Sequence, residues 1–186
     1  MTARVLDLAG RIALVLCLFA LSVYFVVRPF LGDDYENMQR AKAINQVVER
    51  GGPVKVDGIE WKVNSMKAYT RLLNEDREAI DLDVPAGAIV VVVEATVTAD
   101  KTVVVDGEGY SCNAELADDR GNRWEEKSAY GYTMPTYCTN SDNPAKREVP
   151  FKVAKIFLVP KSAVPHLLGI IVPPETRTEQ RTLIRP

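Results

Sequence analysis

The stretch Ser111–Glu126, SCNAELADDRGNRWEE, holds the residues of this chain best equipped for chemistry: Glu115, Asp118, Asp119, Glu125 and Glu126, beside Cys112, Gly121 and Trp124. A calcium loop, a catalytic carboxylate pair and a plain β-hairpin would each use such residues. A calcium loop needs oxygen ligands at alternating positions so that they converge on one ion. Here Asp118 and Asp119 are adjacent, and Arg120 and Arg123 stand where further ligands are needed. Adjacent strand residues face opposite sides, so the two aspartates do not share a cation. Carboxylate hydrolysis needs two acids held at a fixed separation across a bond, and nothing in the spacing sets one. Glu115, Glu125 and Glu126 are expected on half-exposed strands as a solvated face. Asp118–Asn122 reads as turn chemistry, with Trp124 returning to the core.

His166 is the sole histidine, which removes most triad, acid-base and zinc arrangements. Following Pro165 and preceding LLGIIV, it is expected at a strand end, without a catalytic role. No nucleophile elbow, zinc-helix motif, phosphate-cradling loop or dinucleotide fingerprint is present. Catalytic, metal and cofactor residues are therefore none. Cys112 and Cys138 lack the C-x-x-C spacing of redox catalysts and form an even pair once Cys17 is set aside, so a structural disulfide is expected. The remaining chemistry-bearing segment, SAYGYTMPTYC, sets Tyr130, Tyr132, Met134 and Tyr137 in an irregular stretch. Rigid rings supply contact area at low entropic cost, so these four residues are the candidate interaction loop; packing beneath a disulfide-pinned loop is the other reading.

The elements that must position them begin near the N-terminus. Ile12–Val27 carries no charge, and the apolar run extends to Leu31 if Arg28 snorkels. At about 1.5 Å per residue it covers roughly 24 to 30 Å, enough for a bilayer core. Bulky residues follow it, with no small-residue cleavage site, which favours an uncleaved signal anchor over a cleaved peptide. Arg4 and Arg11 bias the N-terminus to the cytoplasm, and the cysteine pair favours an oxidising side for the rest. The expected organisation is a cytoplasmic segment at 1–11, a transmembrane helix at 12–31, a juxtamembrane helix or stalk at 32–52, an extracytoplasmic β-sandwich at 53–174 and a loose tail at 175–186. Tyr35, Met38, Ala41, Ile44 and Val48, at spacings of three and four, underlie the juxtamembrane helix.

Within the sandwich, Asp57-Gly58 predicts a tight turn between extended runs, and Ile59, Trp61 and Val63 alternate with polar neighbours. AIVVVVEATVTA is the clearest strand, and REVPFKVAKIFLVP and HLLGIIV supply later ones. About six to eight short strands without helical repeats describe an all-β sandwich. Lys and Arg number 23 against 25 Asp and Glu, interspersed, which leaves no basic stripe for nucleic acid.

The segments VDGIEWKV, AGAIVVVVEATVTA, AELADDRGNRW and VPFKVAKIFLVPKSAVPHLLGIIV resemble successive strands of the telokin-like, immunoglobulin-like domains of bacterial membrane-anchored proteins and lipoproteins. The match spans roughly Gly51 to Val172, with Leu116, Asp118, Gly121, Trp124, Val159 and Pro160 in the positions of that family's pattern. The resemblance implies an immunoglobulin-like sandwich and carries no catalytic residues; the cysteine pair departs from it. The expected function is a non-enzymatic interaction or scaffolding module, anchored in the cell membrane, with a protein partner. A regulator or inhibitor of an extracytoplasmic enzyme and a carboxylate-dependent hydrolase are the alternatives.

Overall fold

The computed structural model describes residues 16–19, 21–24, 44–49, 51–105, 107–139, 143–172 and 181–186. The chain divides into two compact units, Met1–Ala43 and Ile44–Pro186. In the first, the described residues are helical, and the Ser22 hydroxyl donates to the Leu18 carbonyl at 2.8 Å. Among the described residues no helix is long and apolar enough to cross a membrane. Most of the expected span at 12–31 lies outside them, as do the expected cytoplasmic segment at 1–11 and the first part of the stalk.

The second unit is all-β. Nine strands are described: β1 (Ile44–Val48), β2 (Val54–Val56), β3 (Ile59–Tyr69), β4 (Ala88–Ala99), β5 (Glu115–Asp118), β6 (Arg123–Glu125), β7 (Phe151–Pro160), β8 (Leu167–Val172) and β9 (Arg181–Ile184). They form two sheets, a five-stranded one in the order β1-β9-β8-β5-β6 and a four-stranded one in the order β2-β3-β4-β7. β1 runs parallel to β9; the other pairings are antiparallel.

Side-chain alternation aims Ile59, Trp61, Val63, Val93, Ala95 and Phe157 of the four-stranded sheet at Leu116, Ile170, Val172 and Ile184 of the other. Burying a side chain the size of Phe157 contributes about 1.5–3 kcal/mol each. Around Val90–Val93 and the facing residues of β7, the four-stranded sheet is covered on both faces. Val91 and Val93 enter the inter-sheet core, whereas Val90 and Val92 pack outward against Leu72, Ala129, Tyr132 and Met134. That double burial is why β4 is an unbroken valine run rather than an alternating one. The β2–β3 turn is made by Asp57 at φ 47° and Gly58 at φ 82°, the left-handed pair that a tight hairpin requires.

Two expectations are corrected here. Ile44–Val48, assigned to the juxtamembrane helix, is strand β1, because its β-branched residues pair with β9. The segment 175–186, expected as a loose tail, contains β9, whose Leu183 and Ile184 are 2 % and 1 % exposed. A short apolar pair among polar residues carries little local signal; its pairing on both edges makes it a strand.

Candidate functional site

After β6 the chain leaves one sheet and crosses to the other. The Lys127 N–H donates to the Ile156 carbonyl at 2.8 Å, and the Ala154 N–H donates to the Pro135 carbonyl at 2.8 Å. Among the described residues β7 pairs with no strand but β4, so these are groups on its other edge, which the crossing segment covers. From there Ala129, Tyr132 and Met134 pack on the outer face of the four-stranded sheet. The segment is closed by the Cys112–Cys138 disulfide, with Cα atoms 5.8 Å apart and both residues in the inter-sheet core. The expected pairing of these cysteines is present. Gly109 lies against this closure: at φ +119°, its position would bring a Cβ to 2.1 Å from the Cys138 carbonyl oxygen. Only glycine fits there.

At the crossing itself sits a buried ion pair that the sequence reading missed. Lys155, inward on β7 between Val153 and Phe157, has no exposed surface. Its Nζ donates to Glu126 Oε2 at 2.9 Å and to the Thr136 carbonyl at 3.2 Å. The Ala114 N–H donates to Glu126 Oε1. Burial pushes the Glu126 carboxyl up and the Lys155 ammonium down, while the attraction between the two opposes both shifts. Glu126 is therefore not the solvated strand residue expected of it. Its position follows the last residue of β6, where the chain turns inward.

Two depressions are lined by residues of this crossing segment. One, of about 360 Å³, is lined by Asn113, Glu115, Glu125, Glu126 and Tyr137. The other, of about 470 Å³, is lined by Tyr130, Tyr132, Met134, Pro135 and Tyr137, with Glu108 at its side. All four residues of the expected interaction loop thus border one concave surface, and Tyr137 borders both. Tyr130 is 88 % exposed, while Tyr132 and Met134 pack on the sheet below. Burial pushes the Tyr132 phenol up. The hydroxyls of Tyr137 and Ser128 share a hydrogen bond across the loop. The base of the loop is thus packed on the sheet, and Tyr130 at its tip faces outward.

The acidic hairpin is turn chemistry. Asp118, 4 % exposed, accepts from the Asn122 N–H at 2.8 Å, from Asn122 Nδ2 at 2.8 Å and from the Arg120 N–H at 3.0 Å. Burial alone would raise its carboxyl, and the bonds from Asn122 and Arg120 outweigh that and hold it low. Asp119 faces the other way, to His166 Nδ1 at 3.1 Å, and Arg120 Nη2 meets His166 Nε2. His166 ends a 3₁₀ turn (Lys161–His166) and fastens it to the hairpin. Glu115 and Glu125 stand opposite each other on β5 and β6, but Glu115 Oε2 is held by Arg181 at 2.9 Å and Arg123 at 3.5 Å. Among the described residues no group of three His, Cys, Asp or Glu could hold a metal ion.

No family model matches the sequence, and no curated protein matches it. Two solved structures are similar in fold. An uncharacterised β-sandwich protein from Clostridium difficile 630 is 12 % identical, with a TM-score of 0.47, and the alignment covers 75 % of this chain and 93 % of that one. A conserved hypothetical protein from Bacillus anthracis is 13 % identical, with a TM-score of 0.45, over 66 % of this chain and 85 % of that one.

Proposed function

We propose that the protein is a single-pass, membrane-anchored interaction module that presents its β-sandwich outside the cytoplasm and binds a protein partner through the Tyr130–Tyr137 loop. One observation carries this reading: Tyr130, Tyr132, Met134 and Tyr137 converge on a concave surface of about 470 Å³, with Tyr130 88 % exposed. Aromatic residues on a fixed base make good anchors because little side-chain entropy is lost on binding. The base is fixed by a disulfide, by two backbone hydrogen bonds to β7 and by a buried ion pair. The uncharged run at Ile12–Val27 supports the anchor, the disulfide supports an oxidising compartment, and the resemblance to telokin-like domains supports an immunoglobulin-like sandwich.

The test places a photo-cross-linking amino acid at Tyr130 of the full-length chain in its native membrane. One discrete adduct is expected, weakened by Tyr132→Ala and missing when the cross-linker stands instead at Lys62, on an exposed position of β3. Equal labelling from both positions would overturn the reading.

A further inference from the structure

The contacts around Lys155 and Glu126 suit an amide better than an ion pair. An ammonium carries three N–H donors, yet among the described residues Lys155 Nζ finds two acceptors, Glu126 Oε2 and the Thr136 carbonyl. An ionised carboxylate accepts several bonds, and Glu126 receives one from the Ala114 N–H besides that from lysine. An amide needs one acceptor for its N–H and one donor for its oxygen. The Thr136 carbonyl and the Ala114 N–H supply those two, one on each side of the pair. Lys155 has no exposed surface, and the side chain of Glu126 is 14 % exposed.

We propose that Lys155 and Glu126 are joined by an intramolecular isopeptide bond, formed by condensation of the lysine amine with the glutamate carboxyl. In that step Nζ of the neutral amine attacks Cδ of the neutral acid. The C–Oε2 bond breaks, and the leaving hydroxyl takes one hydrogen from the nitrogen and departs as water. Oε1 becomes the amide oxygen, still bound by the Ala114 N–H, and the remaining N–H donates to the Thr136 carbonyl. The step consumes no co-reactant and changes no oxidation state.

Three physical points support it. Lys155 Nζ and Glu126 Oε2 are held 2.9 Å apart by β7 on one side and the end of β6 on the other, so the amine and the carboxyl meet within one chain in a fixed orientation. Burial shifts both groups toward the neutral forms that condense. Condensation also removes two charges from a site where their desolvation is costly. The product would tie the edge strand of one sheet to the segment leaving the edge strand of the other, next to the disulfide.

Intact-mass measurement of the full chain, purified with its disulfide, tests this. The expected mass is lower by one water molecule than that of the disulfide-bonded chain. Tandem fragmentation is expected to find the Lys155 and Glu126 peptides joined. Lys155→Arg and Glu126→Ala are each expected to restore the uncondensed mass. A wild-type chain at the uncondensed mass overturns the proposal. So does a water loss confined to one linear peptide, such as that holding Asp57-Gly58, where succinimide closure is the ordinary source.

Discussion

Glu125 and Glu126 are neighbours in sequence and opposites in environment: Glu125 is exposed at the end of β6, whereas Glu126 turns inward to Lys155 Nζ at 2.9 Å. Glu126→Ala is therefore expected to cost about 3–5 kcal/mol, because it leaves a buried lysine without its partner. Glu125→Ala should stay within about 0.5 kcal/mol of the parent. Urea midpoints of the two variants separate these outcomes, and equal losses would mean that the inward turn has been misassigned.

Asp118 gives a pH dependence with a definite sign. Its folded-state carboxyl lies below the ordinary value of 3.8, so the unfolded chain takes up the proton first. The stabilisation is full above that value and is lost as pH falls through the lowered folded one. Asp118→Asn is expected to cost roughly 1–3 kcal/mol at neutral pH, and the gap from wild type should close in acid. Denaturation curves across an acid series measure it; a gap that widens in acid would contradict the assignment.

Much of this was readable from residue types, and the exceptions share a cause. The β4 valines, the Asp57-Gly58 turn and the Asp118–Asn122 turn are encoded locally, and each stands where expected. β1 was not readable, because Ile44 and Val48 fit a helical stripe as well as a strand and only β9 decides between them. Arg181–Ile184 failed for the same reason. The tyrosine loop was legible through its composition, but the Glu126–Lys155 pair was not. Nothing local says that a strand lysine faces inward to meet a glutamate 29 positions earlier.

Removing the disulfide with Cys112→Ser and Cys138→Ser is expected to cost about 3–4 kcal/mol on the chain-entropy model, given a separation of 26 residues. Hydrogen exchange should accelerate at 127–137 before it does so in β4, since the loop loses its closing tether while the valine strand keeps both buried faces. Uniform acceleration would place the disulfide's effect on the whole sandwich instead.

His166→Ala is expected to cost less than about 1 kcal/mol, because its contacts to Asp119 and Arg120 lie at a half-exposed surface. Cross-linking from position 130 should be unchanged. A loss of cross-linking with the fold intact would give the histidine a functional part.

The parallel pairing of β1 with β9 sets how the domain bears load. Ile44 lies beside Arg181 and Val48 beside Ile184, so tension entering through the N-terminus and leaving through the C-terminus pulls the two strands past each other along their length. Their hydrogen bonds are then strained together rather than opened one by one. A sandwich closed by its first and last described strands in this way resists traction on its ends as a shear clamp, and would yield far more readily to a pull that peeled β9 away sideways.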